Sequence, residues 1–144
     1  MKAILIKWFM RINAFCLRFT KGRIGGKLGT QTILLLETVG RKSGQPRVTP
    51  IAYFIHEGKY LIVESNWGKA THADWYLNLK KNPRAVLQIN GRTISTEAHD
   101  AEGNEYARLW KFVTERHSPY LQYQDRTTRR IPVVVFEPAC YLVQ

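Results

Sequence analysis

The stretch Gly40-Arg41-Lys42-Ser43-Gly44-Gln45-Pro46-Arg47 concentrates the residue types that hold an anion. Its glycines let the backbone turn sharply and present N–H groups, its three cations supply charge, and the Ser43 hydroxyl adds a donor. Recognition of phosphate or carboxylate is the chemistry such a loop can do. The glycine spacing and the Lys-Ser order differ from the phosphate loop of nucleotide hydrolases, and no dinucleotide fingerprint is present. An exposed basic hairpin without a ligand has the same composition, so the loop alone leaves both readings open.

The rest of the chain carries the same sign. With 22 Lys and Arg against 11 Asp and Glu the net charge is +11, which favours an anionic partner: nucleic acid, a membrane surface or a phosphorylated ligand. The cations fall into groups at Lys7 to Arg23, Arg41 to Arg47, Lys80 to Arg84 and Arg126 to Arg130, and only the second is wrapped in glycines. A nucleic-acid module could stack bases on Trp67, Tyr120 and Tyr123, but none of the common nucleic-acid-binding motifs occurs, so no nucleic-acid partner is expected. His56, His72, His99 and His117 are scattered without a Ser-His-Asp or metal-ligand pattern, so no metal is expected. Cys16 and Cys140 match no paired-cysteine spacing and read as reduced thiols of a cytoplasmic protein. No long uncharged apolar run occurs, and neither a spanning helix nor a signal peptide is expected.

The elements that must position the loop follow from periodicity. From Lys2 to Phe19, Trp8, Ile12, Phe15, Cys16 and Phe19 fall on one helical side and Lys7, Arg11 and Arg18 on the other. This amphipathic helix either packs on the core or lies peripherally on an anionic membrane surface. Gly22, Gly25, Gly26 and Gly29 read as a flexible connector. Thr32 to Val39 and Arg47 to Ile55 are β-branched, apolar runs on either side of the loop, and Tyr60 to Glu64 follows the Glu57-Gly58-Lys59 turn. Ser65-Asn66-Trp67-Gly68 leaves the sheet, and Ala73 to Lys81 forms a short helix stopped by Asn82-Pro83. Asn90-Gly91 joins Ala85 to Ile89 with Thr93 to Ala98 as a hairpin. Asp100 is placed to cap a helix from Ala101 to Arg116. His117 to Arg130 reads as irregular or briefly helical, and Ile131 to Phe136 as a final strand that Tyr141 to Val143 could extend.

About six mostly antiparallel strands with peripheral helices predict an α+β chain built on a small barrel, whose closure removes exposed edges. A chain of 144 residues with 44% hydrophobic content can bury one core, so a single domain over 1–144 is expected. Residues 1–29 would be its helix and connector, and 30–144 the barrel.

Leu34 to Arg47, Ser65-Asn66-Trp67-Gly68, Trp75-Tyr76-Leu77-Asn78-Leu79 with Asn82-Pro83, Tyr120, Tyr123 and Ile131-Pro132-Val133 resemble, in order and spacing, the deazaflavin-dependent nitroreductase family. The resemblance runs from about Leu34 to Pro138. It implies a split β-barrel related to the flavin-mononucleotide-binding barrels. It also implies reduced deazaflavin coenzyme F420 as hydride donor to a quinone, a nitro compound or an activated double bond. By similarity, Arg41, Lys42, Ser43 and Arg47 would hold the phosphate and carboxylates of the coenzyme, and Ser65, Asn66, Trp67 and Gly68 would border its ring. Trp75 and Asn78 join this cofactor set, although packing of their helix on the barrel is the first expectation for them. Tyr120 and Tyr123, with Ser65, would form the catalytic side, and His117 is a further candidate to face the acceptor. The family often has Lys at the position of Asn66, Gly at Trp67 and Pro at Ala73. A flavin-mononucleotide- or haem-binding relative on the same barrel is the alternative, because fold does not dictate cofactor. The oligomeric expectation is a monomer or a homodimer.

Overall fold

The computed structural model describes residues 27, 28 and 31–139. The expected helix Lys2 to Phe19 and the extension Tyr141 to Val143 lie outside the described residues. In chain order the elements are β1 (Lys27–Leu28), β2 (Gln31–Val39), β3 (Pro46–His56), β4 (Lys59–Val63), a 3-10 turn (Asn66–Gly68), α1 (Asp74–Lys81), β5 (Arg84–Ile89), β6 (Arg92–Asp100), α2 (Gly103–Arg116), α3 (Pro119–Asp125) and β7 (Val133–Pro138).

Strands β2 to β7 close into a six-stranded barrel. The sheet runs β1-β2-β3-β4-β7-β6-β5, and β5 pairs back onto β2 from Leu35↔Gln88 to Thr38↔Ala85. All pairings are antiparallel. Two of the hairpins use two-residue turns in which both residues are left-handed: Glu57 and Gly58 at φ 52° and 76°, and Asn90 and Gly91 at φ 49° and 78°. That geometry matches the twist of the strands it joins. Lys27 and Leu28, expected within a flexible connector, instead pair with Thr32 and Gln31 of β2. Backbone pairing needs no particular side chain, so the glycine-rich composition concealed it.

Period-two alternation separates two cores. Leu34, Leu36, Tyr53, Ile62, Leu87, Ala98, Val134 and Phe136 form one cluster drawn from all six barrel strands and therefore fill the lumen, with Trp75, Tyr76 and Leu79 of α1 packed into it. Their neighbours Leu61, Val63, Val133 and Val135 point outward from β4 and β7 and are covered by Leu109 and Val113 of α2 and Tyr120 of α3.

Asp100 does not cap the helix. It is the last residue of β6, paired with Val134, and α2 begins at Gly103 with Glu102 in the capping position. Its carboxylate accepts from the Tyr76 hydroxyl at 2.7 Å and from the Lys80 ammonium. Burial, reinforced by the Asp100 hydrogen bond, pushes Tyr76 up to about 12, so the phenol stays a donor. The tertiary partners outcompete the local cap. The last strand also starts later than expected, at Val133, because the Ile131 N–H donates to Gln124 Oε1 at 2.9 Å.

One lateral carboxylate carries a pH consequence. Glu37 of β2 faces out of the lumen, and burial pushes it up to about 7 from the ordinary 4.5. The folded state then holds this proton more tightly than the unfolded chain, so its contribution is complete below about pH 4.5 and is lost as pH rises through about 7. The melting temperature of wild type should therefore fall relative to that of Glu37→Gln across this window. Parallel melting curves for the two proteins between pH 4 and about pH 8 would count against the assignment.

Candidate functional site

The basic loop is a built hairpin end. The Gly40 N–H donates to the Gln45 carbonyl at 2.7 Å and the Gly44 N–H to the Gly40 carbonyl at 2.8 Å. Gly44 sits at φ 71°, a conformation glycine adopts without steric cost. At Gly40 a Cβ would stand 2.8 Å from Ser43 Oγ. That hydroxyl accepts from the Gln45 N–H at 3.2 Å and from Arg47 Nη2 at 3.4 Å.

The three loop cations are not equivalent. The backbone N–H and Nη1 of Arg41 both donate to Asn78 Oδ1 at 3.1 Å, and its Nη2 pairs with Asp74 at 3.1 Å. Asn78, 3% exposed, donates its amide to Thr38 Oγ1 at 3.1 Å, and Lys81 Nζ donates to the Arg41 carbonyl at 2.8 Å. Arg41 and Asn78 thus fasten the loop to α1, and Asp74 offsets the Arg41 charge. Among the described residues, Lys42 and Arg47 have no carboxylate partner.

Beside the loop lies a cleft of about 400 Å³. Its walls include Ser65, Asn66, Trp67, Trp75, Tyr120 and Tyr123, together with His117, and apolar Ile33, Pro50, Ile51, Ala52 and Val63. The structure thus brings six of the expected site residues to one cavity. Arg41, Lys42, Ser43, Arg47 and Asn78 stand outside this lining. They are adjacent to it: Thr49, two residues after Arg47 on β3, lines the cleft, and Asp74, the Arg41 partner, lies between the lining residues Ala73 and Trp75. Gly68 lies behind the wall, where a Cβ would stand 2.8 Å from the Tyr123 carbonyl.

Tyr120 and Tyr123, three apart on α3, meet with ring centroids at 6.3 Å, and His117 stacks edgewise on Tyr120 at 4.8 Å. Residues three apart on a helix share a face, so both tyrosines present to one side of α3, while His117 precedes that helix. Burial lowers His117 below its ordinary value, so its imidazole is predominantly neutral at pH 7. Trp67 is 69% exposed, sits at φ 59° and meets Tyr123 at 6.0 Å. A bulky residue in the left-handed region is a backbone outlier of the kind found at functional sites.

Two residues not selected from the sequence, Glu64 in the wall and Arg129 behind it, complete the arrangement. Glu64, 1% exposed, lines the cleft at the end of β4. Its carboxylate accepts from the Ala73 N–H at 2.6 Å, contacts His72 Nδ1 at 3.1 Å and pairs with Arg129 Nη1 at 2.8 Å. The available signal was a carboxylate closing the apolar run Leu61-Ile62-Val63, since a buried charge needs a counter-charge. Nothing local indicated that the counter-charge stands 65 residues away.

A closed antiparallel barrel with an aromatic cleft and a basic loop at its rim has the form of a split-barrel cofactor-binding oxidoreductase. The model of the F420H(2)-dependent quinone reductase family matches residues 8–138. The F420H(2)-dependent quinone reductase Rv1261c of Mycobacterium tuberculosis is 39% identical over 130 residues, covering 88% of this chain and 87% of that protein. Among solved structures, the F420-H2 dependent reductase FDR-A is 38% identical with a TM-score of 0.67, covering 73% of this chain and 93% of that one. A second, described as a domain-swapped dimer, is 32% identical with a TM-score of 0.70, covering 92% and 98%. The chain belongs to the F420H(2)-dependent quinone reductase family, and as a member it is an oxidoreductase whose reductant is reduced coenzyme F420.

Proposed function

We propose that the cleft bounded by Ser65, Trp67, Trp75, Tyr120 and Tyr123 is where the chain passes a hydride from reduced F420 to a quinone. The observation that carries this reading is the juxtaposition of an aromatic cleft with a basic loop whose Lys42 and Arg47 lack carboxylate partners among the described residues. The coenzyme has a flat ring and a tail of phosphate and carboxylates, and the two features match its two ends. A cavity of this volume falls within the range of small-molecule sites. The one carboxylate in the wall, Glu64, is already paired with Arg129, so it does not oppose an anionic ligand.

When bound, the reduced coenzyme supplies two electrons as a hydride. The chain's residues do the rest. Lys42, Arg47 and Ser43 would hold the anionic tail, while Arg41 and Asn78 hold the loop itself. Ser65, Asn66, Trp67 and Trp75 of the cleft wall would border the ring, with Gly68 behind them. The apolar wall excludes water, and the Tyr120 and Tyr123 hydroxyls orient the acceptor and deliver the proton its reduction requires. Nitroaromatic and enone-like acceptors present the same electron-poor planar face and fit the same cleft. Residues 1–144 act in this reading as one domain, with 30–144 as the barrel.

Titration with reduced F420, oxidised F420 and flavin mononucleotide tests the reading, together with absorbance-monitored oxidation of reduced F420 by a soluble quinone. Tight deazaflavin binding with quinone-dependent oxidation is expected. Preferential binding of flavin mononucleotide, or no oxidation of the bound reduced form, would overturn it.

The amphipathic pattern of Lys2 to Phe19 supports peripheral contact with the membrane that holds lipid-soluble quinones. Binding to liposomes should require acidic lipid, weaken with salt and disappear when residues 1–20 are deleted. A deletion protein that aggregates or unfolds would assign the segment to the core instead. Among the described residues no helix is long and apolar enough to cross a membrane.

A further inference from the structure

The turn from Ser65 to Lys69 is an improbable piece of backbone. Asn66, Trp67 and Gly68 follow one another at φ 44°, 59° and 77°, and only the glycine adopts that region freely. Two local hydrogen bonds, from Gly68 N–H to the Ser65 carbonyl at 2.9 Å and from Lys69 N–H to the Asn66 carbonyl at 3.0 Å, do not by themselves hold two consecutive non-glycine residues there. Such strain persists only where the surroundings over-determine it.

The Asn66 amide, which donates to the Thr71 carbonyl at 2.8 Å, ties one of these residues, and a distant side chain ties both ends of the turn. The Arg129 guanidinium, 13% exposed, donates through Nε to the Lys69 carbonyl at 2.9 Å and through Nη2 to the Ser65 carbonyl at 3.1 Å, spanning both ends of the turn. Through Nη1 it pairs with the fully buried Glu64 carboxylate at 2.8 Å. Glu64 in turn accepts from the Ala73 N–H, which fixes the far side of the excursion just before α1. On the opposite side, Gln124 of α3 donates to the Arg129 carbonyl at 2.7 Å and accepts from the Ile131 N–H at 2.9 Å. The same short segment is therefore tied both to the turn and to the helix bearing Tyr120 and Tyr123.

We propose that Arg129, oriented by Glu64, is the positioning residue of the cleft: it clamps the Ser65–Lys69 turn in its left-handed form and sets the distance between that wall and the tyrosine face of α3. The planar guanidinium reaches carbonyls and carboxylate in one plane, a geometry that a lysine ammonium does not reproduce. Arg129 does not line the cleft and acts through the turn. The consequence for turnover rests on the hydride-transfer reading above, whereas the clamp itself does not.

Hydrogen exchange and kinetics on Arg129→Lys and Arg129→Ala separate the two. Both variants should exchange the amides of Gly68 and Lys69 at least about tenfold faster than wild type, with the barrel strands β2 and β5 unchanged. Turnover of reduced F420 with a soluble quinone should fall about tenfold or more, with coenzyme affinity within about threefold because Lys42 and Arg47 are intact. Millimolar guanidinium ion should restore part of the turnover to Arg129→Ala, which a merely destabilised protein would not show. Should Arg129→Ala fail to fold, Arg129→Lys retains a cation beside Glu64 and carries the test. Wild-type exchange at these amides in Arg129→Lys together with wild-type kinetics would overturn the proposal. Faster exchange in the variants, with no quinone reduction by wild type, would uphold the clamp and reject the hydride-transfer reading.

Discussion

Replacing Lys42 and Arg47 together by methionine should weaken binding of the deazaflavin by about 3–6 kcal/mol at low ionic strength, a loss of more than a hundredfold. Each would remove one charge-assisted contact to the coenzyme tail in the proposed site, worth about 1.5–3 kcal/mol. Neither cation has a carboxylate partner among the described residues, so neutralisation strands no buried counter-charge and the fold should be little affected. The difference from wild type should shrink at high salt, where the attraction is already screened. Arg41→Met should behave differently. Its guanidinium is committed to Asp74 and Asn78, so its loss leaves the loop tied to α1 only through the Arg41 backbone and lowers both melting temperature and affinity. Fluorescence titration at two ionic strengths, beside thermal melts, distinguishes the cases. An unchanged affinity in the double variant at low salt would remove the loop from the anion site.

The double substitution Tyr120→Phe with Tyr123→Phe should lower turnover with a quinone by about a hundredfold or more, because a positioned proton donor contributes at least that much. Affinity for the deazaflavin should stay within about twofold, since in the proposed site the lost hydroxyls would act on the reacting acceptor and not on the bound coenzyme. The rings themselves remain, preserving the contacts of Tyr120 with Phe54 at 6.2 Å and of Tyr123 with Trp67 at 6.0 Å. Tyr120 is 5% exposed and Tyr123 stands nearer the solvent, so the single variants should differ: Tyr120→Phe should also lower the melting temperature, and Tyr123→Phe should not. Measuring melts and steady-state kinetics on the same preparations decides between an acceptor role and packing. Normal turnover with a depressed melting temperature in both single variants would place the tyrosines in the core alone.

The strands were legible because their signals are local. The β-branched, apolar runs of β2 and β3, the Asn90-Gly91 turn and the Asn82-Pro83 stop each depend on neighbours within a few positions, and each of these elements appears within one or two residues of its expected place. The order of motifs from Leu34 to Pro138 likewise carried the family. Where the reading failed, a distant partner had prevailed. Asp100 had the composition of a helix cap but found Tyr76 and Lys80 on α1, and Ile131 left the last strand for Gln124.

The site divides in the same way. Glycines, cations and the three-residue spacing of Tyr120 and Tyr123 are properties of short segments, so the sequence by itself determined a basic, glycine-flanked loop and an aromatic helical face. Which loop cations remain unpaired was decided only by tertiary structure, since Asp74 and Asn78 approach Arg41 from 33 and 37 residues away. The tertiary fold also chose the partner of Glu64. Burying a carboxylate demands a cation, but any of the 22 Lys and Arg satisfies that demand as composition. Only closure of the barrel, which brings the segment before β7 against the end of β4, sets Arg129 at 2.8 Å and holds the turn between them in a conformation its own residues disfavour.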